Sequence, residues 1–137
     1  MSYRDQHATP APARFDRRIL LVDDDDSVRK AMRRILELAG HRVEVARDGP
    51  EGVEFALATV PEVAFIDIQL PGIDGHEVAR RIRAELGNRM LLVAVTAHGQ
   101  QQDRRRSSEA GFDAHLVKPV SYEDLTRVLD RATCGAG

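Results

Sequence analysis

Four apolar residues, Ile19-Leu20-Leu21-Val22, run without a break into four acidic ones, Asp23-Asp24-Asp25-Asp26. An apolar run this short fits a strand better than a helix, and unbroken apolarity implies burial on both faces. The pattern recurs. Val63-Ala64-Phe65-Ile66 ends in Asp67, residues 90–95 end in Thr96, and Ala114-His115-Leu116-Val117 ends in Lys118-Pro119. A chain built this way is confined to a sheet covered on both sides. The acidic run is itself ambiguous. Adjacent carboxylates repel, so either a hard divalent cation offsets them, or they open a helix whose first turn favours negative charge.

The intervening segments have helical periodicity. Val28, Ala31, Met32, Ile35, Leu36 and Ala39 share one face, with Arg29, Lys30, Arg33, Arg34 and Glu37 outside it and Gly40 as the stop. Val43 and Val45 alternate with Arg42, Glu44 and Arg47, as in a half-exposed edge strand. Asp48-Gly49-Pro50 starts a helix on Val53, Ala56, Leu57 and Val60, which Pro61 closes. A tight loop, Leu70-Pro71-Gly72-Ile73-Asp74-Gly75, precedes a helix on Val78, Ile82 and Leu86 that ends at Gly87-Asn88. Ser121-Tyr122-Glu123-Asp124 forms a capping box before Leu125, Val128 and Leu129. The stretch 100–109 allows a helix but holds no large apolar residue, so it should dock weakly. Five strands alternating with five helices give a parallel, doubly wound sheet. Residues 1–16, with Pro10 and Pro12, read as a flexible tail or linker, 17–131 as the domain, and 132–137 as a C-terminal tail.

Composition narrows the function classes. A chain of 137 residues with 42% apolar and 31% charged residues can build one soluble core. A net charge of −2 argues against general nucleic-acid binding, so Arg104-Arg105-Arg106 reads as a solvated or partner-docking face. The single cysteine, Cys134, excludes a disulfide framework. No apolar run approaches a membrane span and the N-terminus has no signal-peptide core, which points to the cytoplasm. Of 20 basic residues only Lys30 and Lys118 are lysines, so Lys118 at a strand end stands out.

In a parallel sheet Asp23, Asp24, Asp67, Thr96 and Lys118 all fall on one edge. Each has a dull reading alone, as a cap, a strand residue or a surface charge, but their coincidence at successive strand ends does not. The set suits phosphoryl transfer to a carboxylate: an acid to form an acyl phosphate, a cation and a lysine to neutralise charge, and a hydroxyl to donate.

Leu21-Val22-Asp23-Asp24, Phe65-Ile66-Asp67-Ile68-Gln69-Leu70-Pro71-Gly72-Ile73-Asp74-Gly75, Val95-Thr96-Ala97 and Leu116-Val117-Lys118-Pro119 resemble, in order, the receiver domains of two-component response regulators. The resemblance spans roughly residues 17–131. It implies a flavodoxin-like (βα)5 fold of strand order 2-1-3-4-5. It makes Asp67 the phospho-acceptor, fed by a histidine kinase or histidine phosphotransfer protein. Mg2+ would be held by Asp24, Asp67 and the Gln69 backbone carbonyl, with Asp23 acting through water. Lys118 would pair with the phosphoryl group. Thr96 and His115 would switch the surface of helix four, strand five and helix five toward a downstream protein. Gln69 and His98 would tune phosphoryl lifetime, and Asp25 and Asp26 would only cap a helix. The family usually carries Tyr or Phe where this chain has His115, a ring that titrates near neutral pH. Such a chain is a signalling phospho-acceptor, not an enzyme in the turnover sense. The phrasing around 97–100 and 110–119 is similar to receivers at the C-terminus of hybrid sensor kinases, so a stand-alone regulator and a piece of such a kinase both remain open. An Asp-nucleophile phosphohydrolase fits less well, because Asp67-Ile68-Gln69 lacks the second acid of that family's motif.

Overall fold

The computed structural model describes residues 17–97 and 101–136, and the side chains of 17–97 and 104–131. The expected tail 1–16 lies outside the described residues. Five strands alternate with five helices: β1 (Arg18–Val22), α1 (Asp26–Leu38), β2 (Arg42–Ala46), α2 (Gly49–Thr59), β3 (Val63–Asp67), α3 (Gly75–Leu86), β4 (Leu91–Thr96), α4 (Gln101–Ala110), β5 (Ala114–Val117) and α5 (Tyr122–Ala136). All neighbouring strands pair in parallel, in the order β2-β1-β3-β4-β5.

The period-two alternation of side chains sorts each apolar strand onto two cores. Ile19 and Leu21 of β1 join Val63, Phe65, Val93 and Val95 beneath Met32 and Leu36 of α1 and Leu125, Val128 and Leu129 of α5. Leu20 and Val22 join Ala64, Ile66, Leu92 and Ala94 beneath α2, α3 and the end of α4. Burying a side chain such as Phe65, 1% exposed, is worth ~1.5–3 kcal/mol. Two such cores hold the strand ends in fixed register. The edge strand β2 behaves as its alternation implies, with Arg42 and Glu44 exposed between half-buried valines.

Helix starts follow local chemistry. The Asp25 carboxylate accepts from the Ser27 and Val28 amides, Asp48 from the Glu51 amide and Asp74 from the Glu77 amide. Ser121 and Asp124 cap each other reciprocally, the Asp124 amide donating to Ser121 Oγ at 3.0 Å and the Ser121 amide to Asp124 Oδ2 at 3.2 Å.

Two expectations need correction. Arg29 is not outside the α1 face; it is buried at 8% exposure while Ala31 faces solvent. Its aliphatic stem can line a core, and its head finds polar partners there. Leu57 is 37% exposed at the margin of α2, while Ala56 is buried and Val53 and Val60 pack against the core as expected and Gly52 closes on Val22.

Candidate functional site

The site forms where the winding direction reverses, between β1 and β3, at the C-terminal ends of the strands. Asp67 is the last residue of β3 and Asp23 follows β1 directly. Both are buried, at 5% and 4% exposure, while Asp24 is exposed. One carboxylate oxygen from each of Asp23, Asp24 and Asp67 comes within 4.8 Å of the others. Lys118 reaches over from the end of β5. Its Nζ lies 3.2 Å from Asp23 Oδ2 and 3.4 Å from Asp67 Oδ2.

The remaining oxygens are held by backbone amides. Asp67 Oδ1 accepts from the Gln69 amide at 3.0 Å, and Asp23 Oδ1 from the Asp25 amide at 2.9 Å. Burial pushes the Asp23 carboxyl above the ordinary carboxylate range; the Asp25 amide and Lys118 pull it down and the Asp67 charge pushes it further up. For Lys118, burial alone would lower its pKa, but Asp23 and Asp67 together outweigh it and hold the ammonium above its usual value.

Three carboxylates against one ammonium leave a formal charge of −2 in a partly desolvated pocket. All the acid donors are hard oxygens, and the Gln69 carbonyl lies next in chain to the Asp67–Ile68 turn. This donor set fits one hard divalent cation such as Mg2+, which keeps several waters and takes a few carboxylates.

Two features hold the Asp23–Asp67 pair in place. The first turn of α3 presses on the Asp67 backbone: the Gly75 amide donates to the Ile68 carbonyl at 2.9 Å, and a Cβ at Gly75 would sit 2.4 Å from the Asp67 carbonyl oxygen. Arg29 braces β1 from the other side, donating to the Asp23 carbonyl at 2.9 Å and pairing with Asp26. Sequence reading missed this role for Arg29. The signal present was the i, i+3 spacing from Asp26, which also fits an ordinary surface pair.

The other expected residues fall as follows. Thr96 ends β4, 3% exposed, one residue past the partner of Asp67 in the sheet register, and its carbonyl accepts from the Lys118 amide at 2.8 Å. His115 pairs with Ala94 in the register, half-buried, with both ring nitrogens shielded from water. Gln69 is exposed at the rim. His98 lies outside the described residues. Asp25 and Asp26 are helix-start residues, as expected. So the structure brings Asp23, Asp24, Asp67 and Lys118 into one cluster, and places Thr96 and His115 on the neighbouring strands.

Beyond the site, a second polar network fixes the far end of α4. Arg83 donates to the carbonyls of Gly111, Gly87 and Met90 at 2.8–2.9 Å and pairs with Asp113 at 2.6 Å. Ser107 Oγ lies 3.4 Å from His76 Nε2, and the His76 ring meets Phe112 edge-on. The Gly111, Asp113 and His76–Ser107 contacts join residues about thirty apart in sequence, which left no local signal.

Residues 19–130 match the family model described as "Response regulator receiver domain". A response regulator MprA from Mycolicibacterium vanbaalenii is 37% identical over 126 residues, covering 88% of this chain and 54% of that protein. The chain spans about half the length of the curated relatives it matches. The receiver domain of a sensor histidine kinase from Pseudomonas aeruginosa, described with a magnesium ion coordinated in its active-site cleft, is 34% identical, with a TM-score of 0.78 over 85% of this chain and 96% of that one. Chemotaxis protein CheY4 of Vibrio cholerae superposes with a TM-score of 0.80 at 27% identity, over 85% of this chain and 98% of that one.

Proposed function

This chain belongs to the response regulator receiver domain family and is a receiver of two-component signal transduction; on that premise we propose that Asp67 is its phospho-acceptor. The observation that carries the assignment is the Asp23–Asp24–Asp67 cluster with Lys118 Nζ within 3.4 Å of the acceptor carboxylate. Asp67 Oδ2 attacks the phosphorus of a phospho-histidine donor, and the departing imidazole takes back the bond electrons. Oδ1 stays on the Gln69 amide, which orients the carboxylate. Lys118 leaves its ion pair with Asp67 to neutralise the incoming phosphoryl oxygens. Asp24, Asp67 and the Gln69 carbonyl would hold Mg2+, with Asp23 contributing through water. That ion supplies charge neutralisation for phosphoryl oxygens when bound. Thr96 donates its hydroxyl to the phosphoryl group, and its motion is passed to His115 on the adjacent strand.

The partner reading follows from the surfaces. An apolar groove of about 330 Å³, lined by Val28, Ala31, Met32, Ile35, Pro119 and Val120, opens beside Lys118 and suits a helix of the donor, a histidine kinase or phosphotransfer protein. The face formed by α4, β5 and α5 exposes Arg104–Arg106, Val117 and Tyr122 and suits a downstream protein. No described helix is long and apolar enough to cross a membrane, and a cytoplasmic place fits a phospho-histidine donor.

Incubation with acetyl phosphate and Mg2+ tests the reading by intact mass. The wild type should gain one phosphoryl group and Asp67→Asn none. Equal labelling of both would overturn Asp67 as the acceptor.

A further inference from the structure

The arginine run on α4 is unused by the phospho-acceptor chemistry, and it is followed at once by two serines, Ser107 and Ser108. Arg104, Arg105 and Arg106 are all exposed. Two arginines lie two and three residues before each serine, so the sequence alone favours neither. The structure separates them. Ser107 is 2% exposed and faces His76, whereas Ser108 is exposed to solvent.

We infer that Ser108 is a second phosphorylation site, modified by a Ser/Thr protein kinase whose substrate cleft is acidic. Kinases choose substrates by charge pattern, and Arg105 and Arg106 supply the positive charge such a cleft selects. The transfer is balanced by the nucleotide the kinase brings. Ser108 Oγ bonds to the γ-phosphorus of a nucleoside triphosphate as the bond to the β,γ-bridging oxygen breaks. The hydroxyl proton passes to the kinase's catalytic carboxylate, and the diphosphate leaves.

Three further observations support the site. Presenting a helical serine to a cleft needs local opening. Helix α4 holds no apolar residue larger than alanine, and among its described side chains only Ser107 and Ala110 are buried. Such an element opens at low cost. The product can re-form the helix, because Arg104 and Arg105 lie one turn before Ser108 on its own face and can pair with the phosphate. A phosphate on Ser107 would instead be forced against His76 and Phe112. Finally, the modification matters where it sits: a group of charge about −2 would turn the net charge of α4, three arginines against Asp103 and Glu109, from positive to negative.

The test uses the full chain with magnesium ATP and the catalytic subunit of cyclic-AMP-dependent protein kinase as the probe. Neutral hydroxylamine then strips any acyl phosphate, and peptide mapping locates the ester that survives. Wild type and Asp67→Asn should carry one phosphoserine at Ser108, so a failed Asp67 assignment leaves this result intact. Ser108→Ala should lose the label, Ser107→Ala should keep it, and Arg105→Gln should slow labelling at least ~10-fold. No label on the wild type, a label that survives Ser108→Ala, or an unchanged rate in Arg105→Gln would each overturn the assignment.

Discussion

Gly75→Ala sets two physical effects against each other. Gly75 is the first residue of α3 and carries no left-handed φ, so helix propensity alone favours alanine by ~1 kcal/mol. Sterics oppose it. The added Cβ would sit 2.4 Å from the Asp67 carbonyl oxygen and 2.7 Å from Ile68 Cα, both backbone atoms in a register fixed by β3 and β4. Reaching ordinary contact needs a shift of about 1 Å in the α3 start, and overpacking of this kind costs ~1–3 kcal/mol. Rigid backbone on both sides puts the cost at the upper end, ~3 kcal/mol, so the net loss is ~2 kcal/mol. For a domain of this size that lowers Tm by ~8 °C. The shift also displaces the Ile68–Gln69 turn, so Mg2+ affinity should fall with stability. Circular dichroism melts with and without Mg2+ read both effects. Gly72→Ala is the control, since a Cβ there meets nothing within 4 Å and only its φ of +78° opposes the change, at ~1 kcal/mol. A Gly75→Ala protein as stable as wild type, with unchanged Mg2+ binding, would refute the close-approach argument.

Three further perturbations follow from the site. Lys118→Met removes the ammonium that pairs with Asp23 and Asp67: phosphorylation by acetyl phosphate should drop ~100-fold, while a Mg2+ titration should show affinity equal to or tighter than wild type, and weaker binding would contradict the charge balance. The Asp23 carboxyl is held above its ordinary value chiefly by burial, so its contribution to metal-free stability is present below the ordinary carboxylate value and lost as pH rises through the raised one. Mg2+ takes only the ionised form, so the Tm gain on adding Mg2+ should shrink as pH falls from neutral through the raised carboxyl value, and a constant gain would argue against Asp23 facing the ion. Arg83→Met removes the donor to the carbonyls of Gly111 and Met90 and the ion pair of Asp113, which keeps the Leu92 amide; thermal unfolding should show a loss of ~1–3 kcal/mol, and hydrogen exchange should quicken around residues 107–113. Unchanged exchange there would show that Arg83 does not hold the end of α4.

What could be read from the chain and what could not divide along one physical line. Strand ends were legible because apolar runs stop abruptly at Asp23, Asp67, Thr96 and Lys118, and a parallel sheet places such ends on one edge. Capping was legible because Asp25, Asp48 and Ser121 act within three residues of themselves. Arg29 was not, because helical patterning sorts residues by type and a guanidinium with an apolar stem can belong to either face. Leu57 failed at the margin of its stripe: Val53, Ala56 and Val60 pack on the core, and the close approach of Gly52 to Val22 uses the neighbouring side of the helix. The Arg83 and His76–Ser107 contacts join residues far apart in sequence, where local periodicity carries no information. The support Gly75 gives to Asp67 lies between these cases, since the turn was visible and the contact was not.

The central claim is that one carboxylate, Asp67, carries the phosphoryl group, and borohydride reduction tests it at the level of the atom. Phosphorylated wild-type protein is treated with sodium borohydride, which converts an acyl phosphate on aspartate to homoserine, and the peptides are mapped by mass spectrometry. Homoserine at position 67 and at no other acidic residue is the predicted result. Homoserine at Asp23 or Asp24, with Asp67 intact, would contradict the account.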